Sequence, residues 1–163
     1  MGGDGVGEWV EWVDVVARMP WLTTEPYLLE RRELEATLRG LEELGFRVVR
    51  ADAPDGGDLE EALLIELSAR LGFSPLGAGS WAAFNDRLWD LLTARDEPPV
   101  AVVIDGADRL LRRSLHTFVR CVHNLLSLTE GVGLSDTQAQ RQVEYFFVGE
   151  WGGDADGRGD QRS

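Results

Sequence analysis

Pro98-Pro-Val-Ala-Val-Val-Ile-Asp-Gly106 is the stretch on which the fold turns. From Val100 to Ile104 it is an unbroken apolar run with no polar alternation. A strand of that kind is covered on both faces, as central strands of parallel sheets are. Reading outward, Phe46-Arg-Val-Val-Arg-Ala51 and Val143 to Val148 have the look of further strands. Between them lie helical segments. Leu59 to Leu71 turns Leu63, Leu64, Leu67 and Leu71 inward, with Asp58 placed as N-cap, Glu61 three residues on and Gly72 as the stop. Trp81 to Ala94 and Leu115 to Leu128 read as two more helices. Ahead of the first of these strands, Leu34, Leu38, Leu41 and Leu44 define a helix over Glu33 to Leu44, closed by Gly45. Strands separated by helices require crossovers, so the class is α/β, a short parallel β-sheet packed with α-helices.

The N-terminal part is less regular. Glu8 to Met19 carries Trp9, Val10, Trp12, Val13, Val15 and Val16, a pattern that suits a short amphipathic helix or a strand. Met19-Pro20 breaks it, and Trp21 to Leu29 reads as an edge strand. The expected organisation is a leader and short amphipathic segment over 1–20, one α/β domain over 21–150, and a disordered Gly/Asp-rich tail over 151–163. No internal repeat is visible.

Composition narrows the function. The 163 residues hold 29 acidic and 16 basic side chains, for a formal net charge of −13. Every basic residue is arginine, so a Walker-type Gly-Lys loop and lysine nucleophiles are excluded. A pI near 4.5 argues against nucleic-acid binding, which needs a basic stripe. It favours a cationic protein partner, although acidity also serves solubility. The bias is local: from Ala51 to Glu97 there are 10 acidic and 3 basic residues. Cys121 is the single cysteine, so neither an intramolecular disulfide nor a multi-cysteine zinc site can form. Met1 to Gly7 carries no basic leader, and no apolar run approaches the ~20 residues of a membrane span. A cytoplasmic protein with no membrane association and no cofactor is expected.

The helix from Trp81 is the most informative segment. Trp81, Phe84, Leu88, Leu91 and Leu92 fall on one stripe, the expected core face. Ala82, Asn85, Asp86, Trp89 and Asp90 fall elsewhere. Acidic side chains beside a tryptophan off the core stripe suit a hot spot for a basic partner. The alternative is a solvated face with Trp89 tucked under the N-terminal extension.

Other candidates carry less. Val102-Val-Ile-Asp105, with Asp108 beyond it, resembles the strand-then-aspartate ending of phosphoryl-transfer sites, which would make a metal-dependent enzyme of Asp105 and Asp108. No phosphate loop accompanies it, and carboxylates often close strands for structural reasons. His116 and His123 lie seven apart on one helix, about 10.5 Å along its axis, too far to share a metal, and read as structural. Cys121 between them reads as a small core residue. Arg158-Gly159-Asp160 is an adhesion tripeptide by letter only.

Leu71-Gly-Phe-Ser-Pro-Leu-Gly-Ala-Gly-Ser-Trp-Ala-Ala-Phe-Asn-Asp-Arg-Leu-Trp-Asp-Leu91 resembles the signature of the barstar family, with Trp81, Ala83, Phe84, Asn85, Asp86 and Leu88 as matching positions. The order of elements from Phe46 to Gly149 agrees with that family too. The resemblance implies a barstar-like α/β fold, with the residues before Phe46 adding an edge strand and helix. It implies an intracellular inhibitor, or immunity protein, of a basic guanyl-specific ribonuclease toxin. Such proteins are not enzymes and block the nuclease site with a loop and helix whose carboxylates stand in for RNA phosphates. Asp86 falls on the family's central aspartate and Asn85 on a neighbouring contact position, while Trp81 matches an apolar one. The family's first interface aspartate falls on Ala82, its asparagine on Ser80, and its tyrosine-bearing loop on Leu76-Gly77, so part of the phosphate mimicry is absent. Asp90 and Trp89 are the candidates to replace it. The implied contact set is Ser80, Trp81, Ala82, Asn85, Asp86, Trp89 and Asp90, on a chain monomeric before binding. A barstar-fold interaction module, or an immunity protein against a non-nuclease cationic toxin, is the alternative.

Overall fold

The computed structural model describes residues 12–94, 96–134 and 141–152. Four strands, β1 (Tyr27–Glu30), β2 (Arg47–Asp52), β3 (Val100–Asp105) and β4 (Val143–Gly149), form one all-parallel sheet in the order β1-β4-β3-β2. The apolar run is central, as its sequence requires: Val100 to Ile104 are at most 1% exposed. β2 is an edge strand, and it alternates, with Arg47, Arg50 and Asp52 outward and Val49 and Ala51 buried.

Successive residues of β3 feed two different cores. Val100, Val102 and Ile104 pack with Tyr145 and Phe147 of β4 and with helices α3 (Leu59–Leu71), α4 (Trp81–Leu92) and α6 (Leu115–Leu134). Ala101 and Val103 pack on the other side with Phe146, Val148, and residues of α1 (Val15–Arg18) and α2 (Leu34–Glu43). The molecule is therefore a helix–sheet–helix sandwich of the α/β class.

The N-terminal segment enters the second core through Met19, which is 1% exposed. Gly40 makes this possible: a Cβ there would stand 2.8 Å from the Met19 sulfur. Val13 adds a reciprocal pair of hydrogen bonds with the Gln142 side chain, each 2.9 Å.

Several expectations need correction. The packed unit does not begin at residue 21, because Val15 and Met19 are core residues. It does not end at 150 either: Trp151 packs on Phe118, and its indole N–H donates to the carbonyls of Leu29 and Phe147. Of the segment Glu8 to Met19, the described part from Trp12 forms one helical turn, capped by Asp14. The edge strand is β1 and starts at Tyr27, later than expected. A seven-residue helix, α5 (Ala107–Arg113), follows β3 where none was expected. Helix α6 continues past Leu128 to Leu134. Met1 to Gly7 and Arg158 to Asp160 lie outside the described residues.

Candidate protein-binding surface

Helix α4 is built to hold one face outward. Ser80, in extended backbone, caps it: its hydroxyl accepts from the Ala83 N–H at 3.2 Å. Phe84, Leu88 and Leu92 are buried, and Leu91 packs beside them. Phe84 sits edge-on to Phe73 at 5.7 Å and to Trp81 at 6.0 Å between ring centroids. With that face fixed, helical periodicity leaves Ala82, Asn85, Asp86, Trp89 and Asp90 all exposed on the other.

Trp81 belongs to a different group from the rest of the expected contact set. It is half-buried against the core, and its indole N–H donates to the Glu60 carboxylate. Glu60 also takes the Arg120 guanidinium at 2.9 Å, which ties α3, α4 and α6 together. Trp81 is thus a structural anchor, and the exposed aromatic is Trp89, with 37% of its surface in water. The described part of the N-terminal extension packs across the sheet and does not cover it.

The loop before α4 is ordered by its own backbone. Gly72, at φ +76°, ends α3, and Phe73 N–H returns to the Ser68 carbonyl at 2.8 Å. Ala78 N–H bonds to Pro75 and Ser80 N–H to Gly77. Gly77, at φ +67°, brings the loop against Ala83. Leu76 is left 78% exposed at the tip.

Among the described residues, charge on this face is uncompensated. Arg87 turns back, and its guanidinium donates to the Leu76 carbonyl. Arg70 is paired with Glu66 on α3 at 2.9 Å. Asp86 and Asp90 have no ion-pair partner among the described residues. The surface therefore presents two carboxylates, an amide and an indole on a rigid helix, a composition suited to a cationic protein surface.

The other sequence candidates lie apart. Asp105 meets Arg31 at 2.9 Å, and the buried Asp108 meets Arg112 at 3.4 Å. His116 and His123 are exposed on α6. Among the described residues no group of three or more His, Cys, Asp or Glu could hold a metal ion. Cys121 is buried, and burial pushes its thiol up to about 12, so it stays a protonated packing group. Sequence reasoning missed Glu60 as the hub and a groove beside the loop lined by Glu61, Ile65 and Ser68. The one sequence signal for that groove was Ile65, an apolar residue off the inward stripe of α3.

Comparison with protein-family models, with curated proteins and with solved structures returns no significant match.

Proposed function

We propose that this chain is a barstar-like inhibitor, an immunity protein that occludes the active site of a basic ribonuclease toxin with the loop Ser74 to Ser80 and the outer face of α4. The observation that carries the reading is the exposed, uncompensated stripe of Asn85, Asp86, Trp89 and Asp90 on a capped helix. The sequence resemblance around Trp81 to Leu88 supports it, as does the α/β fold. Asp86 pairs with cationic side chains of the nuclease, where substrate phosphate would otherwise sit. Trp89 supplies apolar contact beside it, and the net charge of −13 steers a basic partner in. The complex is one-to-one, occurs in the cytoplasm and involves no cofactor or chemistry by this chain.

A second reading is favoured by one observation. Ala82 is exposed at the position where the family's first interface aspartate falls, and no described carboxylate on α4 replaces it within the first turn. A non-nuclease cationic toxin as target would account for that. The test is stoichiometric titration of a panel of small basic guanyl-specific ribonucleases, with Asp86→Ala as control. Tight inhibition lost in the variant supports the first reading; absence of inhibition across the panel favours the second.

A further inference from the structure

A groove of about 520 Å³ lies between α3 and the loop that precedes α4, with Ser80 among its lining residues and Arg87 not among them. Glu61, Ile65, Ser68 and Ala69 occupy one face of α3, at helical spacing. Phe73, Pro75 and Ala78 of the loop stand opposite. The walls are therefore largely apolar, and Ile65 is 47% exposed at the rim. Two polar groups break this pattern. Ser68 is 1% exposed, and its hydroxyl has no hydrogen-bond partner among the described residues, although a helical serine ordinarily bonds back to its own helix or faces water. Glu61 lies across Gly79, where a Cβ would come 2.6 Å from its Cγ, and its carboxylate has no ion-pair partner among the described residues.

We propose that this groove receives an arginine side chain of the cationic protein partner. The inference rests on the inhibitor reading above and adds a second point of contact to it. An arginine carries an apolar stem and a weakly hydrated, planar cation, which suits apolar walls ending at a carboxylate. The stem lies along Ile65, Ala69 and Pro75, and the guanidinium meets Glu61, with the Phe73 ring available to its face. A purely apolar guest would desolvate Glu61 without pairing it, and an acidic guest would be repelled. The guest is thus selected by the same charge complementarity as the α4 stripe.

The test begins with the full chain and a small probe. Nα-acetyl-arginine N-methylamide is titrated while backbone amide resonances are followed, with the citrulline analogue as the uncharged control. Saturable shifts confined to Glu61, Ile65, Ser68, Ala69 and Gly77 to Gly79 are expected, with Kd on the order of millimolar. The citrulline analogue gives none, and Glu61→Gln binds about tenfold more weakly. Ala69→Trp fills the groove from an exposed position, so its spectrum stays folded while the shifts vanish. Equal response to citrulline, no saturable shift, or shifts confined to α4 would overturn the proposal. If no ribonuclease is inhibited, the inhibitor reading fails and the probe titration still decides the groove. If a ribonuclease is inhibited and Asp86→Ala abolishes it, Ala69→Trp and Glu61→Gln must weaken inhibition too. Indifference of both variants overturns the groove and leaves the α4 surface standing.

Discussion

Asp86 and Asp90 on α4 and Asp105 and Asp108 after β3 are two sets of neighbouring aspartates, and the fold treats them in opposite ways. At the carboxyl ends of the strands, Arg31, Arg109 and Arg112 line the same recess as Asp105, Asp108 and Glu150. Arg31 lies 2.9 Å from Asp105, and Arg112 lies 3.4 Å from the 5%-exposed Asp108. Gly149 lets Asp108 sit this close, since a Cβ there would come 2.6 Å from the Asp108 Cβ. On α4 the nearest basic residue in sequence, Arg87, is directed away onto the Leu76 carbonyl. Charge balanced within the chain serves the fold, between elements at Arg31–Asp105 and within α5 at Arg112–Asp108. Charge left facing water does nothing for the fold and remains free to attract a partner.

The sharpest way to break this contrast is Asp86→Ala. Against an inhibited ribonuclease it should cost about 2–5 kcal/mol of binding, because the partner's cation is left buried and unpaired. Thermal stability should stay within about 0.5 kcal/mol of the parent, since the side chain is exposed and has no ion-pair partner among the described residues. Calorimetric titration and melting of the same pair of proteins check both halves. Unchanged affinity would remove α4 from the interface. The association rate should also fall as salt rises through the range where the Debye length shrinks below about 10 Å, and a flat rate would contradict steering.

A third treatment of carboxylate charge, retention of the proton, occurs at Glu144. Burial raises its pKa from 4.5 to about 7, with Glu25 contributing and a hydrogen bond from Gln142 opposing. The folded chain thus holds a proton here that the unfolded chain releases near 4.5. Its contribution to stability is complete below that value and is lost as pH rises to about 7. Glu144→Gln removes this slope. Above pH 7 the variant should be more stable than the parent by about 3 kcal/mol, and the difference should vanish by pH 4. Urea unfolding of both proteins across that range measures it. Parallel pH profiles for the two proteins would show that Glu144 does not titrate in the folded state as its burial implies.

The contrast between surfaces was only half legible in the sequence. Periodicity located α3 to the residue, because Asp58, Gly72 and four inward leucines all act within the segment. It also separated the buried and exposed faces of α4. It could not show that Arg87 turns away, since that depends on where a loop carbonyl eleven residues back comes to rest. Nor could it show that Trp81, set on the core stripe by its spacing, is tied to Glu60, because that partner lies on another helix. α5 was missed for a related reason: a seven-residue helix starting at a positive-φ glycine has little periodicity, and packing on β4 and α6 is what holds it. The end of α6 lies six residues beyond the expected Leu128, past Gly131 and Gly133, residues that ordinarily weaken a helix.

Ser80→Ala sharpens the comparison by loosening α4 without touching its charges. Loss of the cap to Ala83 should destabilise the protein by about 1 kcal/mol. Inhibition should weaken less than in Asp86→Ala, because the carboxylates remain and only their support frays. Chemical denaturation gives the first number and inhibitor titration the second. An effect on inhibition equal to that of Asp86→Ala would mean that Ser80 itself touches the partner.

The smallest expected effect comes from the arginine-balanced cluster. Arg112→Ala removes the ion pair to Asp108, whose arginine side chain is 63% exposed. Water reaches the Arg112 cation, which weakens its pull on Asp108, and Arg109 of the same recess remains to face the buried carboxylate, so the cost should be about 1 kcal/mol of stability. Inhibition should be unchanged. That second half is what tests the contrast, because it asks whether removing a positive charge outside the α4 face alters binding at all. Removal makes the chain more acidic, so long-range steering alone predicts a slightly faster association with a basic partner. A fall in affinity would instead place the strand-end recess against the partner, and the division between balanced and free charge would no longer separate fold from function.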